Sequence, residues 1–308
     1  MTLLYKADPE RGAEWARLIA ERAPEQAFRL WPDAGDPADV RFLAAWEPPP
    51  DIARTFPNLE LVFSVGAGID QFDFSVLPPS LPVVRMVEPG LAAGMVEYVT
   101  MAVLALHRQL TDYREQQQRE QWRVRRNVPA ARRRVGVMGL GELGKACLHA
   151  LGAFGFERLG WSRSRHALDG VRCHAGDNEL PAFLAETDIL VCLLPLTGAT
   201  QGILNGELFA RLPRGASIVN VGRGGHLIES DLIAALDAGH LCAAVLDVCA
   251  EEPLPQGHAL WRHPRIWLTP HVASMTQPET AVDVVLDNIR RHRAGEPLVG
   301  LVDRGRGY

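Results

Sequence analysis

Three side chains in the second half of this chain are of types that together can hold an anion and move a proton. Arg223 follows the apolar run ASIVNVG in a glycine-rich turn, VGRGG; Glu252 follows CAAVLDV in the segment CAEEPLP; His271 closes RIWLTP. An Arg fork grips a carboxylate bidentately and polarises a carbonyl beside it. Histidine suits proton transfer near neutral pH, and a neighbouring carboxylate orients it and favours its protonated form. Those are the services that reduction of a 2-keto acid asks of a protein, besides a hydride donor. Taken singly, each residue has a plainer reading: His271 as a capping histidine, one of ten, Glu252 as half of an exposed acidic pair with Glu251, and Arg223 as a bridge between surface carboxylates. What joins them is position. All three follow strand-like runs, and the carboxyl ends of strands line the crevice of an open α/β sheet.

The runs VGVM, RLGW, DILVCLLP, ASIVNV, CAAVLDV and RIWLTP are separated by segments long enough for right-handed crossover helices, which predicts a six-stranded doubly wound parallel sheet. The first half repeats the α/β pattern with LLYKA, VRFLAAW, LELVFSV and LPVVRM. One long helix is expected from about Ala92 through MVEYVTMAVLALHRQL to the Gln- and Arg-rich segment ending near Pro129. A last helix, roughly Pro278 to His292, precedes a tail ending VDRGRGY. At 308 residues the chain exceeds what one core usually serves. Two α/β domains are therefore expected, the first of them discontinuous: residues 1–100, then a nucleotide-binding domain over 101–281, then 282–308 returning to the first.

Gly139-Leu140-Gly141-Glu142-Leu143-Gly144 is G-x-G-x-x-G between the strand VGVM and a helical rhythm set by Leu143, Ala146, Cys147, Ala150, Leu151 and Phe154. In that context the glycines serve a tight turn, close approach to a pyrophosphate and close helix-on-strand packing, with the anion on the helix N-terminus. The next strand should end in an acid if the ligand is NAD, for the adenosine ribose hydroxyls. RLGWSRSRH instead puts Ser162 there, followed by Arg163, Ser164 and Arg165, with no carboxylate between Arg158 and Leu168. Guanidinium and hydroxyl groups suit the additional phosphate of NADP, which a carboxylate would repel. NADPH is the expected cofactor, NADH the weaker alternative. The plainer reading is an exposed polar strand end.

Composition excludes several classes. With 47% hydrophobic and 22% charged residues the chain reads as globular, and its net charge of −5 gives no general attraction to nucleic acid or anionic lipid. Arg119, Arg123, Arg125, Arg126, Arg132, Arg133 and Arg134 do cluster, without interleaved aromatics, and read as a solvated helix end and linker. No unbroken run of eighteen apolar residues or export signal stands out, so the expected location is the cytoplasm. Cys147, Cys173, Cys192, Cys242 and Cys249 form no C-x-x-C pair and read as free thiols; no metal site is expected.

Taken in order, VGAGID, GLGELG, WSRSR, LLPLT, NVGRGGHLIESDLIAALDAGHL, AAVLDVCAEEPLP, LWRHPRIWLTPHVAS and VDRGRGY resemble the D-isomer-specific 2-hydroxyacid dehydrogenases, most of all their glyoxylate/hydroxypyruvate reductase branch, over nearly the whole chain. The resemblance implies a Rossmann nucleotide-binding domain, a flavodoxin-like substrate domain and a homodimer. It implies that Arg223 binds substrate, that His271 is the acid/base and Glu252 its partner, and that the backbone at Val65 and Gly66 receives the substrate carboxylate. It places Leu194, Pro195 and Leu196 along the dinucleotide, Val221 near the nicotinamide amide and Asp247 as acceptor for that amide, where Asp247 reads otherwise as a strand-end cap. Trp46 resembles a substrate-pocket residue, although a core tryptophan is the stronger plain reading. Two departures stand out: Cys249 where many relatives have Phe, and a loose match over Gln116 to Arg134. The alternatives are another 2-hydroxyacid dehydrogenase with a different side-chain preference, and a non-catalytic dinucleotide-sensing protein.

Overall fold

The computed structural model describes residues 1–305. The chain divides into two compact units, residues 1–91 with 275 onward, and residues 92–274.

In the first unit, β1 (Thr2–Lys6), β2 (Ala27–Leu30), β3 (Val40–Ala45), β4 (Leu61–Ser64) and β5 (Val83–Val84) form a parallel sheet in the order β2-β1-β3-β4-β5, the flavodoxin order. Helix α1 (Pro9–Arg22) starts where Asp8 accepts a bond from Arg11 N–H, with Pro9 pre-set in the first turn, and buries Trp15, Leu18 and Ile19. A short α2 (Ile52–Thr55) precedes β4.

The second unit begins within α3 (Pro89–His107), continues with α4 (Leu110–Gln118), and carries β6 (Arg134–Met138), α5 (Glu142–Gly152), β7 (Glu157–Ser162), β8 (Val171–Ala175), α6 (Gly176–Ala185), β9 (Ile189–Cys192), α7 (Gly206–Arg211), β10 (Ala216–Asn220), α8 (Glu229–Asp237), β11 (Leu241–Leu246) and β12 (Ile266–Leu268). Its strands are parallel in the order β12-β11-β10-β9-β6-β7-β8, the Rossmann order with one strand added. The order reverses between β6 and β9, and the glycine loop follows β6 at that switch point.

The last helix, α9 (Pro278–Ala294), belongs to the first unit: Ala281, Val282, Val285 and Ile289 join the core of Trp15, Phe42 and Phe63. Beyond it, Val302 N–H donates to Val83 O and the Arg304 guanidinium reaches Leu77 O and Leu81 O. The final three residues of VDRGRGY lie outside the described residues.

Several expectations are revised. The expected boundaries lie at 100/101, within α3, and at 281/282, within α9, whereas the units divide nearer the start of α3, at 91/92, and before α9, at 274/275. The reason is packing: Leu91 at the start of α3 joins the first unit's core, and from Met95 onward the helix lies in the second. Val99, Ala102 and Val103 of α3 lie with Val135, Val137 and Leu151. By length and composition α3 could cross a membrane, with 39% of that stretch buried; Glu97 hides this from a search for unbroken apolar runs. The expected single long helix is broken at Gln109, which turns left-handed at φ 58°, and residues 121–129 are not helical. Strands β2 and β8 were absent from the apolar runs because AFRL and VRCHA are polar edge strands. In α5 the buried stripe is Gly144, Cys147, Leu148 and Leu151; Phe154 lies past the helix end and is 44% exposed. The arginine run is tied down in part by Glu115, Asp112 and Asp188, which pair with Arg119, Arg125 and Arg134.

Candidate active site

Strands β10, β11 and β12 are neighbours, so the three residues that follow them emerge on one stretch of the sheet's carboxyl edge. His271 Nδ1 lies 2.7 Å from Glu252 Oε2. The other oxygen of Glu252 accepts Cys249 N–H at 3.0 Å, which fixes the carboxylate on its own turn. Both side chains keep about a third of their surface in solvent, at 33% and 38%. His271 takes a left-handed backbone, φ 57°, a conformation that costs a non-glycine residue about 1–3 kcal/mol and recurs at functional sites. Its N–H donates to Asp247 O and Thr269 O, which hold it there.

Arg223 sits one strand away. Its turn packs directly on the Glu252 turn: a Cβ on Gly224 would stand 1.8 Å from Cys249 O, so only glycine allows the approach. The guanidinium donates to Gly222 O at 2.9 Å, and Asn220 Nδ2 donates to Arg223 O. The Cys249 thiol is pushed up to about 11 by burial and by Glu229, Glu252 and Asp247 around it, which leaves it a protonated thiol at neutral pH.

Beneath His271 lies a buried polar network. Asp247, 2% exposed, accepts Thr269 Oγ1 at 2.6 Å and Val272 N–H at 2.8 Å on one oxygen, and Ala273 N–H at 2.8 Å on the other. Tyr98 Oη donates in turn to Thr269, and burial pushes the phenol up to about 12. Asp247 is thus a strand-end anchor for the His271 segment. A carboxylate accepts at about four lone-pair positions, so this use leaves room for a further donor.

Along the same edge, the glycine loop divides its labour as its spacing predicts. Gly139 has φ 105°, and a Cβ there would come 2.6 Å from Leu193 O; a Cβ on Gly144 would come 1.9 Å from Gly139 O. Around Gly141 a Cβ would meet nothing within 4 Å. Packing explains the outer two glycines, while the middle one keeps open the space in front of the α5 N-terminus, the cradle a pyrophosphate requires. Glu142 and Leu143 form the first turn of α5, with Glu142 turned to Lys145. Leu194 and Val221 are buried, so they offer a ligand their backbone; Pro195 and Leu196 are half-buried.

Ser162 ends β7 and donates to Ser164 O at 2.7 Å; Arg163, Ser164 and Arg165 are exposed. Arg165 is paired with Glu179 of α6, whose carboxylate also accepts Ala175 N–H and is held below the usual range first by that amide and then by Arg165. Sequence reasoning missed Glu179, which lies 14 residues away along the chain.

In the first unit, the expected anion donors Val65 and Gly66 stand in the turn after β4. Val65 N–H continues the sheet to Ala45 O at 3.1 Å, and Gly66 N–H donates to Ser64 Oγ at 3.2 Å. The next two amides, Ala67 and Gly68, have no hydrogen-bond acceptor among the described residues. Trp46 packs on the same turn, its ring 3.0 Å from where a Gly66 Cβ would be, and is 42% exposed, so it is no core tryptophan. Among the described residues no cluster of His, Cys, Asp and Glu could hold a metal ion.

Residues 100–273 match the model of the D-isomer specific 2-hydroxyacid dehydrogenase NAD binding domain. The chain is 41% identical over 301 residues to glyoxylate/hydroxypyruvate reductase A of Yersinia enterocolitica, covering 96% of each. A D-isomer specific 2-hydroxyacid dehydrogenase from Xanthobacter autotrophicus, solved with NADPH and MES, superposes with a TM-score of 0.93 at 40% identity over 100% of this chain and 99% of that one. The NADPH-dependent glyoxylate/hydroxypyruvate reductase of Sinorhizobium meliloti, solved with NADP and sulfate, gives 0.91 at 35% identity over 100% and 99%. With a family model matching more than half of its length and relatives spanning nearly all of it, the chain belongs to the D-isomer specific 2-hydroxyacid dehydrogenase family.

Proposed function

We propose that the protein reduces small 2-keto acids, glyoxylate and hydroxypyruvate foremost, to glycolate and D-glycerate with NADPH. The observation that carries this reading is the order of groups along one sheet edge. From β12 to β7 stand His271, then Glu252 and Asp247, then Arg223, then the Leu194–Leu196 segment, the glycine loop and finally Ser162–Arg165. Proton donor and substrate clamp occupy one end, the pyrophosphate cradle the switch point, and the cationic strand end the other, over about 24 Å at the usual strand spacing.

NADPH, when bound, supplies the hydride. His271 donates a proton from Nε2 to the carbonyl oxygen, since Nδ1 is committed to Glu252. Glu252 orients the ring and stabilises its charge before transfer. Arg223 holds the carboxylate and polarises the carbonyl as electrons move on to its oxygen. The glycine loop, closed on the fold at Gly139 and Gly144 and open at Gly141, would hold the pyrophosphate on the amide end of α5, and Arg163, seconded by Arg165, would select the additional phosphate. In the first unit the turn of Val65 and Gly66, with the amides of Ala67 and Gly68 beside them, is the anion-receiving candidate, and Trp46 packs on that turn.

The protein is assigned to the cytoplasm, which suits five unpaired cysteines, and to a homodimer, which would cover Trp122 and Val124, 100% and 87% exposed. NADPH and NADH oxidation over a panel of 2-keto acids tests the function. Turnover led by glyoxylate or hydroxypyruvate with NADPH is expected. Preference for a bulkier keto acid would make it another dehydrogenase of the family, and binding of NADPH without turnover a sensor.

A further inference from the structure

We propose that His226 is a positioning residue that clips the Arg223 turn to the loop after β9, so that the guanidinium offered to substrate and the backbone offered to the dinucleotide stay in one register. His226 is fully buried, four residues past Gly222 in the same turn. Arg223 N–H lies 3.0 Å from His226 Nδ1, and an amide N–H only donates, so Nδ1 must accept. Nε2 then carries the ring proton and donates to Pro195 O at 3.2 Å. Arg223 O also lies 3.1 Å from Nδ1, but it already receives Asn220 Nδ2 and His226 N–H, so it needs no donor from the ring.

The surroundings are built around this ring. A Cβ on Gly222 would come 3.0 Å from its Cε1 and Nδ1, so the glycine makes room for the imidazole. Pro195 O receives a second bond from Thr200 Oγ1 at 2.7 Å, and Leu204 N–H donates to His226 O. One buried side chain therefore ties the peptide of the substrate clamp to a carbonyl of the loop assigned to the dinucleotide. It acts through both and touches neither ligand.

The two nitrogens can be separated. His226→Asn keeps an acceptor near the Nδ1 position and loses the reach to Pro195; His226→Gln keeps a donor near the Nε2 position and loses the bond from Arg223. The measurements are the NADPH Kd by fluorescence titration and the KM and kcat for glyoxylate. With one net hydrogen bond worth about three- to tenfold, the Asn variant is expected to raise the NADPH Kd by that factor with KM within about twofold, and the Gln variant to do the reverse. This crossed pattern is what a merely structural histidine would not produce. Equal losses in both constants from both variants, or no change in either, would overturn the clip, and if one variant fails to fold the other decides its own arm. The kinetic arm rests on the proposed reductase function. Should the parent bind NADPH and reduce no 2-keto acid, that reading fails alone, and the Kd arm still decides His226: affinity must fall in Asn and hold in Gln.

Discussion

The floor and the rim of the candidate site are built from the same residue types and behave oppositely. On the floor Asp247, 2% exposed, accepts three bonds from the Thr269–Ala273 segment, and Tyr98 closes the network from α3. On the rim Glu252, 38% exposed, makes one bond to its own turn and one to His271. A carboxylate that accepts two backbone amides and a buried hydroxyl holds geometry, because removing it strands several buried groups at once. A carboxylate shared between one amide and one titratable ring can respond to a proton. The distinction lies in partners and burial, and residue type alone does not express it.

The comparison can be broken at either level. The largest effect is expected at the rim: His271→Ala should lower kcat and kcat/KM together by about 10²–10⁴ while NADPH still binds, the usual contribution of a positioned proton donor. Near-normal turnover would remove His271 from the mechanism. At the far end of the same edge, Ser162→Asp combined with Arg163→Gln should cut the NADPH/NADH ratio of kcat/KM by about ten- to a hundredfold, the worth of a lost charge-assisted bond plus a repelling charge. The NADH kcat should hardly move, and a ratio unchanged from the parent would reduce the WSRSR segment to an exposed strand end. On the floor, Asp247→Asn replaces one acceptor by a donor facing the Val272 or Ala273 amide. It should cost about 1–3 kcal/mol of stability, seen as a Tm lower by about 2–4 °C for each kcal/mol. A variant as stable as the parent, with impaired hydride transfer only, would move Asp247 from floor to rim.

Much of this was legible in the sequence, for identifiable reasons. Arg223, Glu252 and His271 each follow an apolar run, and a parallel sheet turns that shared order into a shared edge. The glycine loop was legible because its three glycines answer to separate steric demands. Which amide of the SVGAGID turn continues the sheet was not legible, since a glycine-rich turn does not reveal it; here Val65 does. Trp46 looked like core because tryptophan usually is, and its exposure depends on where β3 ends. Glu179 and His226 act across the fold, and no local spacing marks either one among the chain's carboxylates and histidines. Asp247 had both of its roles in view, and only the distances show how fully the anchoring one is occupied.

The claim that the rim carries the chemistry rests on the 2.7 Å contact between His271 Nδ1 and Glu252 Oε2, and Glu252→Gln tests it with little change of shape. The measurement is kcat for glyoxylate reduction beside the NADPH Kd in the parent and the variant. Loss of the charge that orients and stabilises the ring should lower kcat by about tenfold with Kd within twofold. An unchanged kcat, or a loss of activity fully accounted for by weaker NADPH binding, would contradict the pairing.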